Sequence, residues 1–240
     1  MPGGENEENA GVAENQARER TAKRAAGRPR RIEAGQIVAA ARRILQEEGV
    51  EAVSMRRVAK EVGATPMALY HHVRDKRELL MLTVAGLAAT VPRPELPTAP
   101  RDRVLATALH MHALLSGMPW VVDVLSLGDV TDKNALWMPE EIVDSAMACG
   151  LTQEQAVFAY RTLWYVVHGD LVFRRAAARR GADPDRPDLF PTLLTPEDAD
   201  RYPRLTALSE RWEDLATADY DVAGQLAAVV DGLLAQGRGD

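Results

Sequence analysis

The chain of 240 residues is 46% hydrophobic and 27% charged, which is typical of a soluble globular protein with one or two domains. Its single cysteine, Cys149, excludes an intrachain disulfide and a cysteine-rich zinc site, and it suits a reducing cytoplasm. Charge is uneven: 15 basic and 12 acidic residues precede Pro92, whereas 14 basic and 23 acidic residues follow Val91. The two parts are therefore expected to face different partners.

No membrane or export signal is expected. The N-terminus lacks the basic start and apolar stretch of a secretory signal, which predicts a cytoplasmic protein. The longest uncharged run, residues 104–122, contains two histidines, a glycine and a proline. This run is therefore interpreted as a buried helix that ends near Gly117 rather than as a membrane span.

The first 31 residues carry almost no large apolar side chains, which predicts a disordered segment in the free protein. Acidic residues come first, and then seven basic residues between Arg18 and Arg31 are opposed only by Glu19. The arm ends in Gly-Arg-Pro-Arg-Arg at 27–31, which suits a narrow A·T-rich minor groove of DNA. A solvated tail that binds nothing is the alternative.

Helical spacing of apolar residues begins at Ile32 and predicts a first helix that stops at Gly49. A second, short helix is expected between Ser54 as N-cap and Gly63. A third begins at Thr65, with a proline where a missing N–H costs nothing. A fourth opens at Asp75, with Glu78 placed for a capping box. The inward side chains of the four helices are expected to be Ile37, Ala41, Ile44, Leu45, Val58, Ala59, Val62, Ala68, Leu69, Val73, Leu79, Leu82 and Leu87.

Four prolines in residues 92–100 mark a domain boundary, which divides the folded chain into 32–91 and 92–240. Further helices are predicted near 101–117, 119–127, 134–149, 152–180, 203–217 and 220–236. Residues 181–203 hold five prolines and predict a long surface loop, with a short helical turn after Thr195. Strand-like alternation is absent, so the predicted fold class is all-α.

The stretch SMRRVAKEVGATPMALYHHVRDK at 54–76 is the most informative, because it encodes two short helices joined at Gly63-Ala64. The second helix turns Pro66, Met67, Tyr70 and His71 outward, where a ligand can reach them. A helix of this size fits the major groove of DNA. The alternative is an ordinary helical hairpin within a core.

At these residues the chain resembles the tetracycline-repressor (TetR) family of bacterial one-component regulators. The features that carry the resemblance are Gly49, Val58-Ala59, Gly63, Leu69-Tyr70-His71-His72-Val73, Lys76 and Leu79-Leu80. The resemblance implies an N-terminal DNA-binding domain and a larger helical domain that binds an effector and dimerises. It therefore implies a ligand-responsive transcriptional regulator, most simply a repressor released from a palindromic operator by a small molecule.

The resemblance also assigns roles by position. Ser54 is expected to meet a phosphate, Arg56 to take a base edge, and Lys76 to bind a phosphate. Contacts with the bases and with the groove are expected from Thr65, Pro66, Met67, Ala68, Tyr70, His71 and His72. Because Pro66, Met67 and Ala68 offer no side-chain hydrogen bond, base reading there would rest on thymine methyls and on DNA shape.

The second domain should hold the effector pocket and the dimer interface. The expected pocket residues are Trp120, Trp137, Met138, Trp164, Tyr165 and Phe173, with His110, His112 and His168 as polar anchors. Dimer contacts are expected from residues 154–180 and 222–234, through Phe158, Leu163, Val166, Leu226, Val229, Val230 and Leu233, although an intramolecular core would have the same composition. The net negative charge of this part favours a neutral or cationic effector, or serves to keep it off DNA.

Enzyme motifs are missing from the sequence: there is no Gly-rich phosphate loop, no G-x-S-x-G, no H-E-x-x-H and no paired-cysteine metal site. No cofactor or metal is expected. Two other functions remain open, a constitutive DNA-binding protein with a solidly packed second domain and a helical protein-interaction module without affinity for DNA.

Overall fold

The computed structural model describes residues 32–127, 133–180, 194–209, 211 and 222–238. The expected disorder of the arm at 1–31, the loop at 181–193 and the helix beyond Ser209 lie outside the described residues. Within those ranges the chain is helical and contains no strand, as the sequence predicts.

Four helices lie in the predicted N-terminal domain: α1 (Ala34–Glu47), α2 (Met55–Val62), α3 (Pro66–Tyr70) and α4 (Lys76–Ala88). A 3₁₀ turn at Val50–Ala52 joins α1 to α2. The second domain contains α5 (Pro100–Ser116), α6 (Pro119–Leu125), α7 (Trp137–Ala148), α8 (Gln153–Arg180), α9 (Pro203–Ser209) and α10 (Val222–Leu234). Shorter 3₁₀ turns occur at Lys133–Ala135, Pro196–Asp198 and Ala235–Arg238, and the second of these confirms the turn expected after Thr195.

The N-terminal helices begin and end where local chemistry requires. The Ser54 hydroxyl accepts the Arg57 N–H at 3.1 Å, and the Thr65 hydroxyl accepts the Ala68 N–H at 3.3 Å. Such a cap is worth about 1 kcal/mol, which matters most for the five-residue helix α3. Gly49 and Gly63 end α1 and α2 at φ of 87° and 70°, in the region that only glycine enters without strain.

The cap of α4 differs in part from the prediction. Asp75 is the N-cap and its carboxylate accepts the Glu78 N–H at 2.8 Å, as expected. The Glu78 carboxylate, however, accepts the backbone N–H of Arg74 rather than that of Asp75. This contact and the Arg74 guanidinium hold the pKa of Glu78 below its usual value.

The core of the N-terminal domain follows the predicted apolar spacing closely. Ile37, Ala41, Ile44 and Leu45 of α1 are all buried against α2 and α4. Burial of each isoleucine or leucine side chain among them contributes about 1.5–3 kcal/mol to the free energy of unfolding. Three predicted positions differ: Val62 and Ala68 are only half-buried, and Leu82 points to solvent.

In the second domain, α5 packs against α7, α8 and α10, and α6 packs against α8 and α4. The hydrophobic core therefore continues across the predicted boundary at 91/92. Ion pairs fasten the outside of α5. Arg101 forms a two-pronged pair with Asp231 of α10, at 2.8 Å and 2.9 Å, which raises the pKa of the guanidinium.

Among the described helices, none is both long and apolar enough to cross a membrane by itself. One bent pair, α5 with α6, reaches the required length and composition, with a bend of 104° between the two helices. Trp120, Val122 and Val124 of that pair are buried in the protein core.

Candidate functional site

The helix α3 presents the outward surface that the sequence predicts. Leu69 is fully buried beneath it, whereas Met67 is 68% exposed and Tyr70 is 49% exposed. Pro66, His71 and His72 are exposed as well, and Ala68 is half-buried. A short exposed helix above a buried leucine has the size and shape of an element that enters a major groove.

The caps of α2 and α3 leave chemistry available for a ligand. The hydroxyl oxygens of Ser54 and Thr65 each accept a backbone N–H. Each hydroxyl group can therefore still donate its own proton to a ligand. Both residues are exposed. The predicted phosphate contact of Ser54 is therefore compatible with its role as an N-cap.

Two adjacent arginines on α2 have different environments. Arg57 donates to Glu61 at 2.6 Å and to Glu48 at 2.7 Å, which raises the pKa of Arg57 and lowers that of Glu61. Arg56 is exposed, and within residues 32–88 it forms no hydrogen bond or ion pair. Arg57 is thus committed to holding α2 against the end of α1, and Arg56 remains available for a base edge.

Lys76 occupies the first turn of α4 and is half-buried. Its ammonium group donates to the backbone carbonyl of Val50 at 3.0 Å, across 26 residues of sequence. The lysine therefore connects α4 to the turn between α1 and α2. An ammonium group has three donors, so this contact leaves two of them for a phosphate.

A cavity of about 460 Å³ lies between α4 and the helices α5 to α8, across the predicted domain boundary. Its walls come from Val84 and Leu87 of α4, from Met111 and Leu115 of α5, and from α6, α7 and α8. No charged side chain occurs among its described lining residues. The polar groups there belong to Trp164 and to Tyr160, whose pKa is raised by burial. The cavity can therefore take a largely apolar molecule with one or two polar groups.

Of the residues expected to form the pocket, only Met138 and Trp164 line this cavity. Trp120 and Trp137 are buried in the core beside it, and His110 lies against the Trp137 ring at 5.6 Å. The His168 ring lies 5.3 Å from the Trp164 ring, centroid to centroid, and its Nε2 forms a hydrogen bond with the Ser126 hydroxyl at 3.2 Å. His168 therefore contacts a residue of the cavity wall without lining the cavity.

Two further residues expected in the pocket do not line this cavity. Phe173 is 73% exposed and Tyr165 is 59% exposed, both on the outer face of α8. His112 does not line the cavity either. Its ring nitrogen pairs with Asp170 at 2.7 Å and so ties α5 to α8.

Exposed apolar side chains follow one side of α8. Phe158 is 56% exposed, Val172 is 40% exposed, and Tyr165 and Phe173 lie on the same helix. The other side chains proposed for a dimer interface are mostly inside the protomer: Leu163, Leu226, Val230 and Leu233 are buried, and Val166 and Val229 are half-buried. The core of the protomer thus explains why these six side chains are apolar. Of the side chains expected at a dimer interface, Phe158 is exposed and can contact a second copy.

Neither the contribution of α4 to the cavity nor that of Tyr160 was predicted from the sequence. The apolar series Leu80, Val84, Leu87 and Val91 could have indicated the contribution of α4. It has helical spacing and is longer than a small N-terminal core requires. No comparable pattern marks Tyr160. Among the described residues, no group of His, Cys, Asp or Glu side chains is arranged to hold a metal ion.

Comparison with known proteins gives the same picture. Residues 37–81 match the family model described as bacterial regulatory proteins, tetR family. The HTH-type transcriptional repressor DrrR1 of Streptomyces coeruleorubidus is 32% identical over 220 residues, which span 85% of this chain and 79% of that protein. An HTH-type transcriptional regulator of Saccharopolyspora erythraea is 29% identical over 124 residues, about half of each chain (51% and 52%).

Solved structures share the fold. Apo ActR from Streptomyces coelicolor superposes with a TM-score of 0.68 at 24% identity, and the match covers 87% of this chain and 97% of ActR. The complex of ActR with actinorhodin has the same TM-score at 23% identity, and covers 87% and 99% of the two chains. BioQ with its double-stranded DNA operator has a TM-score of 0.57 at 22% identity, and covers 85% and 99%.

Proposed function

The chain belongs to the TetR family of bacterial regulatory proteins and is a DNA-binding transcriptional regulator, and we propose that it is a dimeric repressor released from its operator by an apolar small molecule. The observation that carries this proposal is the 460 Å³ cavity, because its wall includes α4 of the DNA-binding domain. A molecule in that cavity touches both domains. The protein is a regulator and not an enzyme, and it would act on DNA in the cytoplasm.

The DNA side of the proposal rests on exposure and on free donors. The α3 surface around Met67 and Tyr70 would enter the major groove, and Arg56 would bind a base edge. Ser54, Thr65 and Lys76 would hold phosphates beside it. The relative BioQ was solved with its operator DNA, which supports the same use of this fold here.

The effector proposed for the cavity is uncharged and mostly apolar. The described lining offers no counter-ion, so an ionised group inside would lose its hydration without compensation. The Tyr160 hydroxyl can form a hydrogen bond with the molecule, and the Trp164 ring can stack on it. ActR was solved in complex with actinorhodin and with (S)-DNPA, which supports the use of a similar fold for binding a small molecule here.

The proposed dimer uses the exposed apolar side of α8. Phe158, Tyr165 and Phe173 are each more than half exposed, which is unusual for three large aromatic side chains on one helix. Gly224 and Ala228 are exposed on α10 and would allow a second copy to approach closely. Two copies would also present two α3 helices to the two halves of a palindrome, about 34 Å apart.

The test begins with selection of binding sites from random-sequence DNA by the full-length protein. We expect a palindromic site that is preferred over scrambled DNA and lost at high salt. A panel of uncharged aromatic compounds is then screened for release of that site. Binding to all sequences alike would contradict the proposal and favour a constitutive DNA-binding protein, and no binding at any salt would favour a protein-interaction module.

A pair of matched variants tests the cavity. Leu115→Trp places a larger ring in the cavity, whereas Leu208→Trp places it on the surface of α9. We expect both variants to bind the selected site, and only Leu115→Trp to lose the response to the compound. Equal responses in the two variants would place the effector elsewhere.

A further inference from the structure

The effector cavity is open to solvent on one side, and a cation without an assigned role stands at this mouth. We propose that Arg93 binds an acidic group of the effector at the mouth, while the apolar body of the same molecule fills the cavity. The effector is then an amphipathic acid, such as an aromatic carboxylate or sulfonate. This inference rests on the proposed function, because it requires the cavity to be the effector site.

The mouth is formed by residues that line the cavity and also reach solvent. Leu136 belongs to the wall and is 52% exposed. Val91 and Ala135 belong to the wall as well and are half-buried. Val91 lies in the segment that follows α4, and the other two residues directly precede α7. The cavity therefore meets water between the segment after α4 and the start of α7.

Arg93 stands beside this opening. Its guanidinium carbon Cζ lies 5.3 Å from the centroid of the Trp137 ring. The sequence neighbours of that tryptophan, Leu136 and Met138, both line the cavity. Arg93 itself follows Val91 of the wall by two residues, which span at most about 7 Å of chain. Because Arg93 is exposed and is not among the lining residues, its charge lies outside the apolar cavity but next to its rim.

The Trp137 ring gives the guanidinium group a fixed support. This tryptophan is only 6% exposed, and the His110 ring packs against it at 5.6 Å. Within the described part of the chain, the ring contact is the only interaction that Arg93 forms, so none of its N–H donors is used by the protein. A guanidinium group held over an aromatic ring loses less freedom when it binds a ligand, and its planar fork matches a carboxylate or sulfonate.

Nearby carboxylates leave this cation unneutralised. Glu95 follows Arg93 by two residues and Glu140 lies in the first turn of α7, and both side chains are exposed. Neither of them pairs with Arg93. The next carboxylate along α7, Glu141, pairs instead with Arg103 at 2.9 Å. An acidic group of a ligand therefore replaces water, and not a protein carboxylate, when it reaches Arg93.

The wall and the mouth impose different requirements on one molecule. The wall offers no counter-ion, so the part of the ligand inside the cavity has to be uncharged. An ionised group at the mouth keeps part of its hydration and gains charge-assisted hydrogen bonds from the guanidinium group. The net negative charge of the second domain disfavours anions on average, but Arg93 offsets it where the cavity opens. The combination favours an apolar body with an anionic group at one end.

The experiment compares two fluorescent probes that differ by one anionic group. Anilinonaphthalenesulfonate carries a sulfonate, and the corresponding phenylnaphthylamine is the same molecule without it. The full-length protein is titrated with each probe. The variant Arg93→Met keeps the apolar part of the side chain and removes the charged fork. The matched control is Arg201→Met, because Arg201 lies over the Tyr202 ring at the same distance of 5.3 Å, and neither residue lines the cavity.

We expect Leu115→Trp to weaken the binding of both probes, because both occupy the cavity. Arg93→Met should weaken the sulfonate probe about tenfold and the uncharged probe less than about twofold, and Arg201→Met should change neither. Added salt should reduce the tenfold difference, because the ion pair at the mouth is exposed to solvent.

Two results would overturn the inference while the proposed function stands: an unchanged affinity of Arg93→Met for the sulfonate probe, or an equal loss of affinity for both probes. Binding of the uncharged probe that is insensitive to Leu115→Trp would have a wider consequence. The cavity would then not be the binding site, and the proposed effector site would fail together with this inference.

Discussion

Lys76 offers the most direct test of how the DNA-binding surface works, because one atom of it has two expected partners. In the free protein its ammonium group donates to the Val50 carbonyl at 3.0 Å. In the complex with DNA the same group is proposed to bind a phosphate. The substitution Lys76→Met keeps the apolar part of the side chain and removes the charge, so it separates packing from electrostatics.

The expected loss of DNA affinity follows from the charge count. Each phosphate neutralised by a cation contributes about 0.9 to the slope of log affinity against log salt, so a dimer with two such lysines should lose about 1.8. If binding is unchanged at 1 M salt, this difference amounts to about thirtyfold at 0.15 M. The effect on folding should be smaller, about 1 kcal/mol for the lost hydrogen bond, or about 2–4 °C in the melting temperature of a chain of this size.

The assay is fluorescence anisotropy with the selected site and with scrambled DNA. Each DNA is titrated at several salt concentrations between roughly 50 and 300 mM, where DNA affinity falls steeply with salt. Both DNAs should weaken to a similar degree, because a phosphate contact carries no sequence information. Lys133→Met, in the second domain, removes the same charge and should leave the slope unchanged. A lower melting temperature with an unchanged slope would show that Lys76 serves only the fold, and this result would refute the reasoning.

Three further predictions concern the same domain. Arg56→Ala should weaken the selected site about five- to 150-fold and relax one base position, which a second selection from random DNA would show; an unchanged consensus would count against it. Gly63→Ala should cost about 1–2 kcal/mol in denaturant unfolding, because its φ of 70° is unfavourable for alanine, whereas Gly35→Ala in α1 should not destabilise the protein. Glu61→Gln should lower the melting temperature at pH 7. Since Arg57 holds the pKa of Glu61 below 4.5, the stabilisation is present above that pH and is lost as the pH falls through the lowered pKa, so the two melting temperatures should converge in acid; a constant difference would contradict this origin.

The N-terminal domain could be predicted from the sequence because its signals are local. Ser54 and Thr65 are N-caps that act within three residues, and Gly63 ends a helix by its own backbone conformation. The capping of α4 shows the limit of this reasoning. The spacing places Glu78 correctly, but its carboxylate accepts the backbone N–H of Arg74, one residue before the N-cap, and only the structure shows this.

The cavity could not be predicted in the same way. Whether an aromatic residue lines a cavity depends on the rotation of its helix against several others, and residue type does not report that rotation. Phe173 and Trp164 both lie on α8, but one is 73% exposed and the other lines the cavity. Phe173 lies nine positions after Trp164, about two and a half turns, so the two side chains lie on opposite sides of the helix.

The position of α4 explains why one cavity could control DNA binding in the proposed mechanism. Lys76 lies at the start of this helix, which is proposed to face DNA, and Leu87 lies near its other end, in the cavity wall. Eleven residues separate them, which is about 16 Å of helix at 1.5 Å per residue. A tilt of about 10° around Leu87 would therefore move the start of α4 by about 3 Å, the length of a hydrogen bond. A shift of that size is enough to break the proposed contact between the Lys76 ammonium group and a phosphate. An effector then needs only to bind the tilted state more tightly, and a difference of about 100-fold in that affinity would weaken operator binding by up to the same factor.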